Sequence, residues 1–138
     1  MTAPALVAWA AHIGWMRLTD SPLAFMGSRW AVAIFTVAAL GEDIVDLLPA
    51  APARTSAFPL VARIVVGLLT GASAAIAGGF LLWIGGLGGA IGAIAGAFGG
   101  YRTRVGMVRA LHVPDAAIAI PEDAVAIGLG LLLVSILR

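Results

Sequence analysis

Glu42 and Asp46 stand four residues apart in LGEDIVD, with Asp43 between them. Residues four apart share one face of a helix. A second acidic pair, Glu122 and Asp123, follows Pro121 in an otherwise apolar run. Carboxylates gathered from two helices can exchange a proton or ligate a hard cation such as Na⁺ or Mg²⁺. These four residues are therefore the candidate cation or proton site. The basic residues are all arginine, with no lysine. That removes Schiff-base chemistry and lysine-dependent phosphate loops. Arg63, Arg102 and Arg104 can instead pair with the carboxylates or hold the phosphate of a phospholipid head group.

Other chemistry is excluded or unsupported. There is no cysteine, so disulfides, thiolate metal sites and cysteine nucleophiles are ruled out. His12 and His112 are isolated and lack ligand spacing, so no metal centre is expected. No Gly-x-Ser-x-Gly or His-Glu-x-x-His motif occurs. The sequence predicts no enzyme activity and no cofactor. A net charge of +1 gives no electrostatic basis for nucleic-acid binding.

The elements that must position these groups follow from composition. Of 138 residues, 62% are hydrophobic and 11% charged, with a mean hydropathy of +1.07. A soluble domain carries about 25% charged residues. The apolar surface must therefore meet lipid, and the chain reads as one all-α, polytopic transmembrane helical bundle over residues 1–138. Ala3 to Met16 is apolar but short of the roughly 20 residues that span a bilayer, and is expected to be re-entrant or tilted. Thr19-Asp20-Ser21-Pro22 breaks it. Four spans are expected: Arg29 to Leu48, Leu60 to Ile84, the glycine-rich Gly85 to Arg102, and Glu122 to Leu137. A proline-rich connection, Pro49 to Pro59, joins the first two. Gly78-Gly79 and Gly85-Gly86 bracket a turn. Arg102 to Leu111 is expected as a short surface helix, Val113-Pro114-Asp115 as a turn, and Pro121 as the first residue of the last helix.

Gly88, Gly92, Gly96 and Gly100 form a ladder at four-residue spacing. In lipid, such a row lets another helix approach closely. It is expected to pack internally or to form the seam of a homo-oligomer or larger membrane complex. The tryptophans, Trp9, Trp15, Trp30 and Trp83, are expected as interfacial anchors. The arginine excess around Arg54, Arg63, Arg102, Arg104 and Arg109 orients that side to the cytoplasm and the C-terminus outward.

Met1-Thr2-Ala3-Pro4, Leu40-Gly41-Glu42 with Asp46 and Pro49, Ala62-Arg63-Ile64-Val65, Gly96-Ala97-Phe98-Gly99-Gly100-Tyr101 and Pro121-Glu122-Asp123-Ala124 resemble a group of small bacterial integral membrane proteins. That family is a domain of unknown function. The resemblance spans essentially the whole chain and implies a bacterial inner membrane location, but no activity. Its usual Asp-Lys-hydrophobic-Pro pattern is Asp46-Leu47-Leu48-Pro49 here. Members usually carry a further helix before the Met-Thr-Ala-Pro segment. With such a helix, residues of about 1–50 and 83–138 would form two similar halves, as in small transporters. Three functions are compatible with these readings: a transporter- or channel-like protein with a carboxylate site, an accessory subunit docked through the glycine ladder, or a lipid- or isoprenoid-phosphate-handling protein.

Overall fold

A computed structural model describes residues 1–46, 57–114 and 116–137, without the side chains at positions 43, 45, 46, 116 and 119. Every regular element among the described residues is helical. The helices are α1 (Thr2–His12), α2 (Arg29–Asp46), α3 (Ala57–Ala77), α4 (Leu82–Leu111) and α5 (Ala116–Ile136), with a 3₁₀ turn at Ala24–Gly27 before α2. Most of the proline-rich connection, with Arg54, and also Asp115 and Arg138, lies outside the described residues.

Local chemistry sets the ends. Gly14, with φ of +79°, closes α1. The Trp15 N–H reaches the Ala10 carbonyl at 2.8 Å, and the Gly14 N–H reaches that of Ala11 at 3.3 Å. This is the paired closure that a left-handed glycine allows. Gly79, with φ of +74°, ends α3 in the same way, and the Phe80 N–H donates to the Ala75 carbonyl at 2.8 Å. Ser28 caps α2, its hydroxyl accepting from the Ala31 N–H at 3.1 Å.

Three expectations are corrected. The second apolar helix ends at Ala77 rather than Ile84, because Gly79 adopts the stop conformation and Gly85-Gly86 do not. Nor do Gly99-Gly100, so the expected surface helix over Arg102 to Leu111 is the continuation of α4. At 30 residues, α4 is about 45 Å long. Pro121 lies inside α5 rather than at its start, and no acidic residue occupies the first turn. Glu122 and Asp123 are therefore placed by packing and not by the helix dipole.

Among the described residues two helices, α3 and α4, are long and apolar enough to cross a membrane. They also form the most extensive helix pair among the described residues. The short α1 is central: it packs on α2, α3, α5 and the 3₁₀ turn. The core surrounds its second half, with Ala8 and Met26 fully buried and Met16, Leu18, Val32 and Val134 beside them. Polar contacts fasten this region. Trp9 Nε1 donates to Thr36 Oγ1 at 3.1 Å, tying α1 to α2. His12 Nδ1 lies 2.9 Å from the Gly27 carbonyl. A carbonyl only accepts, so His12 is the donor. His12 is thus a structural fastener of the 3₁₀ turn.

Candidate functional site: a carboxylate cavity over a glycine hairpin

The α3–α4 hairpin sets the floor of the site. A Cβ added at Gly71 would strike the Gly85 carbonyl, and one at Gly85 would strike that of Gly71. Gly67 and Gly89 oppose each other in the same reciprocal way. The backbones are so close that only hydrogen fits between them. Such contacts favour Cα–H···O=C attraction, worth about 0.5–1 kcal/mol each. The row that packs is therefore Gly85, Gly89 and Ala93 against Gly67 and Gly71. The expected row lies about 60° around α4, by the helical repeat. Added Cβ atoms at Gly88, Gly92 and Gly96 would meet nothing within 4 Å, and one at Gly100 would meet only Glu122 Oε1, at 3.5 Å.

Beside this seam lies a cavity of about 560 Å³. Gly92 and Gly96 line it, together with the α3 face from Arg63 to Ala74. That face is about 16 Å long at 1.5 Å per residue. Because Gly71 faces Gly85 and Gly67 faces Gly89, Arg63 is level with Ala93 in the antiparallel register. The inner wall is apolar or small: Val66, Gly71, Ala74, Ala126 and Leu133. Thr70 also lines it, its hydroxyl donating to the Val66 carbonyl at 2.7 Å.

The charged side chains of the cavity are Glu42 from α2, Arg63 from α3, and Glu122 and Asp123 from α5. Arg63 Nη2 donates to Glu42 Oε1 at 2.8 Å, and the Met1 amino group pairs with Glu42 Oε2. Both side chains of the Glu42–Arg63 pair keep somewhat under a third of their exposure. Arg104 Nη1 stands 3.8 Å from Glu122 Oε2, with the Arg104 side chain only 11% exposed. Glu122 also borders a second, mainly apolar cleft of about 390 Å³ between α4 and α5, lined by Met107, Ile118, Pro121 and Val125 together with Thr103 and Arg104.

The structure thus brings together Glu42, Glu122, Asp123 and Arg63 on one cavity, with Arg104 beside Glu122 in the adjoining cleft. Asp46 ends α2, and its side chain lies outside the described residues. Arg102 is exposed on α4. Among the described residues, no three acidic or histidine side chains gather closely enough to hold a metal ion. Sequence reasoning missed Gly67, Gly71 and Thr70. The four-residue spacing of Gly67 and Gly71 was the available signal for the first two; Thr70 carried none.

Partial burial makes the Glu42–Arg63 pair worth more than a surface bridge and less than a fully desolvated one. Glu42→Gln and Arg63→Gln should each destabilise by about 1–2 kcal/mol, with a coupling energy near 1 kcal/mol. A double-mutant cycle on the unfolding midpoint measures this directly. A coupling below about 0.3 kcal/mol would mean that the two groups act independently.

No family model, curated protein or solved structure matches this chain. The resemblance to small bacterial membrane proteins therefore stands on the quoted residues alone.

Proposed function

We propose that the protein is a small integral membrane transporter or channel-like protein that takes a cation or proton into its carboxylate cavity. The observation that carries this reading is the convergence of Glu42, Glu122 and Asp123 from two helices on one cavity, with the Arg63 guanidinium and the Met1 amino group beside Glu42 and Arg104 beside Glu122. Ionisable groups at membrane depth are costly and are retained mainly for function.

The membrane setting is supported by exposure. Only 17% and 11% of the most apolar 18-residue stretches of α3 and α4 are buried, unlike the core helix of a soluble protein. Trp30, Phe58 and Trp83 are more than 70% exposed. In this reading α2 and α5 also span, giving four spans around the short α1, in a bacterial inner membrane. Trp30 and Trp83 begin α2 and α4 at one end of the bundle, while Tyr101 stands toward the other, as interfacial belts require. Arg63, Arg102, Arg104 and Arg109 cluster at the carboxylate end, which is assigned to the cytoplasm, with the end of α5 outside.

A second reading, an accessory subunit or homo-oligomer, draws on the open space above Gly88, Gly92 and Gly96. Lipid-phosphate handling has less support, because Arg63 and Arg104 already face carboxylates. The test is thermal unfolding of purified protein across pH and added Na⁺, K⁺ and Mg²⁺, for wild type, Glu42→Gln and Glu122→Gln. A ligand of the folded state raises its stability. The cation reading predicts a stabilisation of wild type that grows as pH rises, since protonated carboxyls no longer attract the ion, and that shrinks in both variants. Identical responses in all three proteins would refute it.

A further inference from the structure

The geometry points to an amphipathic organic monocation as the occupant of this cavity, entering sideways from the bilayer through the α4–α5 cleft. The inference rests on the cation reading above and narrows it.

Three features argue for it. The first is size. A space of about 560 Å³ falls in the range that holds drug-sized ligands, roughly 300–1,000 Å³, and far exceeds a bare ion. The second is the division of polarity. The charged groups come from the Met1 amino group, Glu42, Arg63, Glu122 and Asp123, while the α3 face continues to Gly71 and Ala74 and the α5 face to Leu133 without another charge. A ligand with a cationic head and an apolar body matches both parts.

The third feature is access. The apolar cleft shares Glu122 with the cavity. Its wall residues Ile118, Pro121 and Val125 lie on α5 and Met107 on α4, two helices that touch only sparingly. Pro121 removes one backbone hydrogen bond of α5 at the cleft wall. An amphiphile dissolved in the bilayer would meet in this cleft the apolar side chains and the Glu122 carboxylate, with Arg104 on the opposite helix beside it. The carboxylate then draws its head toward the cavity, and the apolar body trails along the small-residue face.

The test uses the full chain in phosphatidylcholine nanodiscs and follows thermal unfolding and tryptophan emission. The probes are hexyltrimethylammonium, tetramethylammonium, Na⁺ and hexyl sulfate. Hexyltrimethylammonium should stabilise wild type at a concentration at least ten times lower than tetramethylammonium, and hexyl sulfate should not stabilise it. Glu122→Gln should raise the half-saturating concentration at least tenfold. Val125→Trp fills the cleft at a position already 60% exposed, and should slow the onset of the response without removing a charge. If tetramethylammonium or Na⁺ acts as well as hexyltrimethylammonium, and through Glu122, the amphiphile inference is overturned while the cation site stands. If hexyl sulfate matches hexyltrimethylammonium, or Glu122→Gln changes nothing, the inference also falls. If no cation or pH change stabilises wild type, both readings fall together.

Discussion

Gly89→Ala destabilises the folded protein by at least about 2 kcal/mol, although alanine is the better helix former. The substitution gains about 1 kcal/mol of intrinsic helix propensity. Against this, the new methyl runs into the Gly67 carbonyl and lies against the Gly71 Cα. Both obstacles are backbone, so no rotamer change relieves them. The helices must separate, and the Cα–H···O contacts along the seam are lost together. Overpacking where side chains can adjust already costs about 1–3 kcal/mol; here the floor cannot adjust. Gly88→Ala is the matched control, one residue away and with nothing within 4 Å of the added carbon. It should be neutral or gain up to about 1 kcal/mol. Unfolding by SDS titration of the two variants measures the difference. Equal midpoints would show that the hairpin is not packed as described.

Gly92→Leu should abolish ligand-linked stabilisation while leaving the fold intact, because the isobutyl group has open space to enter and that space is the cavity. The expected effect is at least a tenfold loss in apparent affinity for the stabilising cation, with an unfolding midpoint in the absence of ligand close to that of wild type. The docking alternative makes the opposite prediction. If the row of Gly88, Gly92 and Gly96 receives a partner helix, Gly92→Leu breaks the assembly and leaves the cation response unchanged. Size-exclusion chromatography with light scattering, run beside the melting experiment, separates the two.

The all-helical class is legible from composition and from apolar run lengths. So is the shared location of Glu42, Glu122, Asp123 and Arg63, since alternating helices carry the end of α2, the start of α3 and the start of α5 to one side. Conformation at individual glycines is not legible. Gly78-Gly79 and Gly99-Gly100 are the same dipeptide, yet only Gly79 takes a positive φ and ends a helix. Tertiary packing separates the two. Beyond Gly79 the chain reverses so that Gly85 and Gly89 can meet Gly71 and Gly67, and that gain decides where the stop falls. The packing row is ambiguous in the sequence for a related reason. Four-residue ladders exist at both Gly85-Gly89 and Gly88-Gly92-Gly96-Gly100, and the rotation of α4 is set by the partner glycines on α3. A longer ladder is no signal of which face is used. Pro121 has the usual preference of proline for a helix start, but the preceding AAIAI run is apolar enough for the helix to begin earlier and carry the proline inside.

In the proposed function, a space reached by water and favouring cations runs along the α3 face. The absence of cysteine makes its direct test simple. Thr70 lines the cavity and can be replaced as the single reactive position, Thr70→Cys. The measurement is the rate of modification in membranes by a permanently cationic and by an anionic methanethiosulfonate of similar size. Thr70→Cys should react readily with the cationic reagent, at least tenfold faster than with the anionic one, and the rates should fall toward equality when Glu122→Gln is added. A position as inert to both reagents as a lipid-facing control such as Val37→Cys, or one that reacts faster with the anion, would contradict it.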